Sequence, residues 1–208
     1  MGQGLITINY GHLIQLPKAD SNAAKPFSSQ DLKAIWQAAD NGNKDAMAVL
    51  ILVYTGMRPA ELLSLDISVH LHKEGDYRYF WTGSKTTAGL NRIIPIPNIL
   101  NHIIDSLIAD RSEGPLIVAE KGGFYRLDNW RPRHFNALMA SLELTEYVPY
   151  SCRHTYADIQ KRRNIAPEIM MEIMGHEDYS TTVERYQTTT AEDIARICSA
   201  VEGLERPK

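Results

Sequence analysis

The sequence predicts a mainly α-helical chain with one small antiparallel β-sheet, an α+β fold. Three observations lead there. Apolar residues recur at helical spacing through most of the chain, beginning with Leu32, Ile35, Trp36 and Ala39. Between residues 66 and 96 that period gives way to short runs of alternating or continuous apolar residues separated by turn residues, the mark of strands. The composition, 44% hydrophobic and 23% charged over 208 residues, is that of a folded domain. A chain of this size buries roughly 70% of its unfolded surface, enough for a core without disulfides.

Residues 1–27 are mixed in character and end in a polar stretch closed by Pro26, which reads as an arm or linker. Ser28 or Ser29 then caps the first helix, and Asn41-Gly42-Asn43 ends it. Residues 44–54 are apolar nearly all round, so they predict a buried helix stopped by Gly56. Pro59 suits the first position of a short helix over 59–64. Residues 66–72 alternate, with Ile67, Val69 and Leu71 on one face, and Gly75-Asp76 is a turn signal. Residues 77–82 and 92–96 are the next two strands of the same sheet. Helices are then predicted over 98–109, 127–142, 150–163, 167–174, 181–187 and 191–204. The last carries Ile194, Ile197, Cys198 and Val201 on one stripe. The core domain is thus 28–190, followed by a C-terminal helix and tail over 191–208.

Composition also narrows the function. The 22 basic and 25 acidic residues give a net charge of −3, so whole-chain basicity cannot be what attracts nucleic acid. Two cysteines, Cys152 and Cys198, make no disulfide framework and no Cys-x-x-Cys metal motif. His70-x-His72 has no third ligand nearby and predicts two solvent-facing side chains on one strand face, with no metal. The N-terminus lacks a basic and apolar signal segment, and the longest apolar run falls far short of the ~20 residues that span a bilayer. A soluble, cytoplasmic protein without membrane contact or small-molecule substrate is expected.

Four segments carry chemistry: Thr55-Gly-Met-Arg58-Pro-Ala-Glu61, Thr82-Gly-Ser-Lys85-Thr, Tyr150-Ser-Cys-Arg153-His154, and Met174-Gly175-His176 with Tyr186 ten residues later. Arg58 leaves a buried helix and precedes Pro59, so its backbone is constrained toward an extended or helix-initiating geometry. Arg153 sits on a helix whose Tyr156, Ala157 and Ile159 face the core. Two guanidinium groups converging on one point call for an anion, and a phosphodiester fits their fork. Glu61, one turn from Arg58, is either a simple ion-pair partner or a group that orients its neighbours. Lys85 lies in the loop between two strands, and Gly175 allows the chain to turn so that His176 leaves the helix end. The Tyr186 phenol, with an ordinary pKa near 10, needs nearby cations to become a nucleophile at neutral pH.

In this order and spacing the four segments resemble the C-terminal catalytic domain of the tyrosine recombinase, or phage integrase, family, over residues 28–190. The resemblance implies a site-specific recombinase that cuts and rejoins DNA. Tyr186 would attack a scissile phosphate to form a 3′-phosphotyrosyl link, with no cofactor. Arg58, Arg153 and His176 would stabilise charge at phosphorus, and Lys85 would protonate the leaving 5′ oxygen. The family's second motif usually reads His-x-x-Arg-His. Its first histidine is Tyr150 here, which can donate a hydrogen bond to phosphate but is a poor general base. Double-stranded DNA is the implied partner, held by local charge: Lys161, Arg162 and Arg163, together with Arg131 and Arg133. Lys161-Arg162-Arg163 reads equally as a cap on its own helix C-terminus. A homotetramer on DNA is the implied working form, with 191–204 docked on a neighbouring protomer or folded back on its own core. The resemblance further implies a DNA-clamping domain ahead of this one, of which residues 1–27 would be the linker remnant. Two other readings keep the same residues: a type IB topoisomerase-like strand cleavage and resealing, and a non-catalytic DNA-binding relative.

Overall fold

The computed structural model describes residues 24–82, 92–175 and 190–207. The first helix, α1 (Ser29–Asp40), begins where the sequence places its cap: the Ser28 hydroxyl accepts from the Asp31 N–H, and the Asp31 carboxylate accepts from the Ser28 N–H. It buries Leu32, Ile35, Trp36 and Ala39. Helix α2 (Lys44–Thr55) is the centre of the molecule, because every residue from Ala46 to Thr55 is buried. α1 and α8 (Pro149–Arg162) pack against it. A helix buried on all sides has no polar face, which is what its sequence displays. Gly56 ends α2 in the left-handed conformation (φ 68°), and Pro59 opens α3 (Pro59–Leu62).

One expectation fails next. Residues 66–72 do not form a strand: Ile67–His70 is a helical turn, α4, and β1 covers Leu71–Glu74. The alternation of Ile67, Val69 and Leu71 spans too few residues to fix a period. The Asp66 side chain instead accepts from the Ser68 N–H and caps a turn. His70 and His72 therefore do not share a strand face. The His70 Nδ1 accepts from the Asp66 N–H, while His72 stacks on Tyr79.

The sheet is antiparallel in the order β1-β2-β3, with β2 at Tyr77–Thr82 and β3 at Arg92–Ile96, the limits the sequence predicts. Thr82 pairs with Arg92 at the end of the ladder. Alternate residues serve two cores. Phe80, Ile94 and Ile96 join the main core around α2, whereas Tyr79 and Ile93 join a second, smaller cluster. That cluster is completed by Tyr156, by Ile173 and Met174 of α9 (Pro167–Met174), and by the Ile194, Ile197, Cys198 and Val201 stripe of α10 (Ala191–Val201). The sheet is thus a layer between α2 and the α9–α10 pair. Each fully buried Ile or Val on that stripe contributes roughly 1.5–3 kcal/mol.

Along the chain, α5 (Asn101–Ile108), α6 (Leu127–Trp130) and α7 (Asn136–Ser141) follow the sheet and precede α8. The helix predicted across 127–142 is interrupted by a π-helical segment at Arg131–Phe135, where the Asn136 N–H reaches the Arg131 carbonyl. Pro132 within it has no N–H to give to the preceding turn. α10 ends at Val201, earlier than expected, and the tail turns back across the molecule. Asn98 donates to the Glu202 carboxylate, while Arg206 pairs with Asp40 at 2.7 Å and lies 4.0 Å over the Trp36 ring. Among the described residues no helix is long and apolar enough to cross a membrane. Cys152 and Cys198 are both buried free thiols.

Candidate functional site

Two of the predicted site residues meet at the C-terminus of α9. Arg58 is the N-cap of α3, so its backbone is extended and its side chain leaves α3 toward α9. Arg153 stands on the second turn of α8. Arg58 Nη2 donates to the Gly175 carbonyl at 3.0 Å, and Arg153 Nη2 donates to the Met174 carbonyl at 2.6 Å. Arg153 Nη1 donates to the Gly56 carbonyl at 2.6 Å, tying the end of α2 into the same cluster.

A third arginine, which sequence reasoning missed, completes the arrangement. Arg92, the first residue of β3, is 3% exposed and donates from Nε to the Ile173 carbonyl at 2.9 Å. Three consecutive carbonyls, Ile173, Met174 and Gly175, are therefore each met by a different guanidinium. The last carbonyls of a helix lack intrahelical partners and carry the negative end of the helix dipole, so cations are favoured there. The one trace of Arg92 in the sequence is a charged residue opening the apolar run Arg92-Ile-Ile-Pro-Ile; such a residue, if buried, calls for a partner that the run does not name.

That partner is Glu61. Its Oε1 accepts from Arg58 Nη1 at 3.1 Å and Arg92 Nη1 at 3.0 Å. Its Oε2 accepts from the Arg58 backbone N–H at 2.8 Å and Arg92 Nη2 at 2.6 Å. Of the two readings open to Glu61, ion-pair partner and orienting group, the geometry supports both. Burial alone would raise its carboxyl pKa; the Arg92 fork, with Arg58 behind it, holds it below the usual carboxylate range. Burial acts oppositely on Arg153, whose guanidinium is lowered to about 10 by desolvation and by the neighbouring Arg58 and Arg92 charges. It remains a cation at neutral pH.

Arg58 keeps a quarter of its side chain open to solvent, so the cluster has an outward face. Tyr150 lies one turn before Arg153 on α8 and is half exposed. The position that usually holds a histidine thus presents its phenol at the surface beside the arginines. Lys85, His176 and Tyr186 lie outside the described residues. The described chain stops at Thr82 before the first and at Gly175 before the second.

The predicted DNA contacts fall into two groups. Arg131 and Arg133 are exposed on the π-helical segment, and Lys121 and Arg126, earlier in the chain, are exposed as well. In the Lys161-Arg162-Arg163 run, Arg162 pairs with Asp158 at 2.9 Å in the open, and Lys161 is exposed. Arg163 turns inward to the Gln160 side chain and to the Val201 and Glu202 carbonyls, so it caps the end of α10. Among the described residues no group of three or more His, Cys, Asp or Glu is placed to hold a metal ion.

The model of the phage integrase family matches residues 25–193. The tyrosine recombinase XerA of Pyrococcus furiosus is 26% identical over 196 residues, covering 91% of this chain and 66% of its own length. The tyrosine recombinase XerD of Oceanobacillus iheyensis is 27% identical over 183 residues, covering 81% and 59%. The chain therefore spans two thirds or less of these relatives. Among solved structures, an integrase from mycobacterium phage Brujita superposes with a TM-score of 0.67 at 17% identity, covering 99% of this chain and 67% of that one. A XerA recombinase gives 0.62 at 20% identity, covering 89% and 64%. At these identities the superpositions speak to the fold.

Proposed function

Because the chain belongs to the phage integrase family, we propose that it is the catalytic domain of a site-specific DNA recombinase, cutting and rejoining strands through a 3′-phosphotyrosyl intermediate on Tyr186. One observation carries the reading: Arg58 and Arg153, from different helices, converge on the α9 terminus that leads directly into His176. Three guanidinium groups and one carboxylate leave a net positive centre with an open side, which suits a phosphodiester and its transition state.

The chemistry follows from these groups. The Tyr186 oxygen attacks phosphorus, the bond to the 5′ oxygen breaks, and the leaving oxygen takes a proton from Lys85. The attacking phenol must lose its own proton, and because Tyr150 is too weak a base to take it at neutral pH, the proton passes to solvent water. The cationic field is what favours the phenolate. Arg58, Arg153 and His176 stabilise the charge that builds on the phosphoryl oxygens, an arrangement fixed before substrate arrives. The free 5′ hydroxyl of a second duplex then reverses the step, so the phosphodiester energy is kept and no cofactor enters. Double-stranded DNA is the partner, a homotetramer on DNA the working assembly, and the cell interior the compartment. Arg131, Arg133, Lys161 and Arg162 are the surface cations proposed to meet the backbone; Arg163, engaged with α10, is the weakest member of that set.

The test is a covalent adduct. The chain is incubated with nicked duplexes made from DNA flanking its own gene, where the nick prevents religation, and denaturing gels report protein–DNA adducts. An adduct in the wild type that is lost in Tyr186→Phe supports the reading. DNA retention without any adduct sinks it in favour of a non-catalytic DNA-binding relative. Relaxation of supercoiled plasmid without strand exchange between duplexes marks the topoisomerase-like alternative.

A further inference from the structure

Arg92 has no part in the reaction as just described, yet it bonds both to Glu61 and to the end of α9. We propose that Arg92 is a positioning residue for the phosphate site: from β3 it fixes Glu61, and through Glu61 the guanidinium of Arg58, while it clamps the end of α9 that delivers His176. The proposal rests on the functional reading above.

Arg92 is buried, so it does not meet DNA itself. Its two terminal nitrogens take the two Glu61 oxygens as a bidentate fork, at 3.0 and 2.6 Å. Those same oxygens hold the Arg58 side chain and backbone. A carboxylate accepting from one arginine alone could rotate toward it and cancel its charge. Shared between two, it is fixed in place and its charge is already balanced, so Arg58 keeps an uncompensated positive face. The other end of Arg92 grips α9. Nε donates to the Ile173 carbonyl, and the side chain lies so close over Gly175 that a Cβ there would sit 3.3 Å from its Cδ, Nε and Nη1. Thr82, its ladder partner, is three residues before Lys85. One side chain thus joins the strand leading from the lysine loop, the acid that orients Arg58, and the turn into His176.

Meeting the Ile173 carbonyl would take a single donor and does not call for the fork to Glu61. A buried fork of this kind is often replaceable by apolar residues without loss of stability. A third guanidinium beside Arg58 and Arg153 also adds like-charge repulsion, which a fold gains nothing from unless an anion is to be bound.

Inorganic sulfate, a tetrahedral dianion, probes the site without a DNA sequence being known. The thermal midpoint of the full chain is followed against sulfate at constant ionic strength, for wild type, Arg92→Met, Arg92→Lys and the double variant Arg92→Met with Glu61→Gln. The response left in Arg58→Ala measures the general effect of sulfate and is subtracted. Arg92→Met is expected to weaken apparent sulfate affinity about tenfold, whatever its starting midpoint. Arg92→Lys, which keeps charge but not the fork, loses at least threefold. The double variant recovers to within threefold of wild type, because Glu61→Gln removes the unbalanced charge. Unchanged affinity in Arg92→Met overturns the proposal, as does a wild-type midpoint indifferent to sulfate. Should Arg92→Met fail to fold, unchanged affinity in Arg92→Lys overturns it equally. Sulfate binding needs neither DNA nor the nucleophile, so Tyr186→Phe responds as wild type. A failed adduct assay beside an intact Arg92 effect strikes the recombinase reading and leaves Arg92 assigned to the anion site.

Discussion

Replacing Gly56 by alanine tests how tightly the arginine cluster is tied to the core. Gly56 has φ 68°, and a Cβ built on it would lie 2.4, 2.7 and 2.8 Å from Cδ1, Cγ and Cε1 of Tyr156. Tyr156 is 1% exposed, so its ring has nowhere to go. Two costs combine. A left-handed conformation costs an L-residue roughly 1–2 kcal/mol, and overpacking a filled core typically costs about 1–3 kcal/mol. Gly56→Ala should therefore lose about 2–5 kcal/mol, which for a chain of this length lowers the midpoint by roughly 4–20 °C. Urea unfolding measures it as a shift in midpoint concentration at constant slope. The two costs separate in a Tyr156→Leu background, where only the backbone part, roughly 1–2 kcal/mol, remains. A loss below about 1 kcal/mol, or the same loss in both backgrounds, would refute this account of the α2 terminus.

On the proposed reading Arg58→Ala removes a donor to the charge that develops at phosphorus, and single-turnover cleavage of a nicked duplex should slow by about 10²–10³, or roughly 2.7–4 kcal/mol. A change under threefold would remove Arg58 from the chemistry. Glu61→Gln leaves Arg92 buried without its counter-charge and should cost about 3–5 kcal/mol at pH 7. Because the folded carboxyl is held below its unfolded value of 4.5, the stability it contributes is present above that pH and fades as pH falls through the folded pKa. The gap between Glu61→Gln and wild type should accordingly narrow in acid-unfolding series, and a constant gap would contradict the assignment. Arg206→Ala removes a largely exposed ion pair and ring contact, so urea unfolding should register no more than about 1–2 kcal/mol. Arg131→Ala and Arg133→Ala should each reduce the slope of log affinity against log salt by about 0.9 if each meets one phosphate. Slopes equal to wild type would clear that face of DNA.

Much of this was legible in the residues, and the exceptions have physical causes. Caps and full burial wrote α1 and α2 into the sequence, and β2 and β3 were bounded by their turn residues. Local pattern alone misled at residues 66–72, where a capping aspartate outweighed a short alternation. Pro132 likewise announced the break in the 127–142 helix without saying that it would be π-helical. At the site, Arg58 and Arg153 stood out by motif. Arg92 did not, because its meaning depends on a partner 31 residues away and on a carbonyl 81 residues away. No period or spacing encodes such contacts. The inward turn of Arg163 depends in the same way on where the α10 terminus comes to rest.

The charge distribution shows how an acidic chain could hold the proposed phosphate site. Arg58, Arg92 and Arg153 against Glu61 concentrate two positive charges in one cluster, so the remainder of the chain, whose total is −3, carries a net charge of −5. Buried charge of one sign is costly unless something answers it. Here the answer is partial and comes from neutral groups: the Ile173, Met174, Gly175 and Gly56 carbonyls, three of them at the negative end of α9. Carbonyl dipoles stabilise the guanidinium groups without neutralising them, so the positive potential survives for an incoming anion. Extra carboxylates would have held the arginines equally well and quenched the site. The same logic confines attraction to short range, since a field of two charges on an acidic body is screened within about 8–10 Å at physiological salt. On the proposed reading, long-range capture of DNA would fall to exposed cations such as Arg131 and Arg133, and the buried cluster would act only on a phosphate already delivered to it.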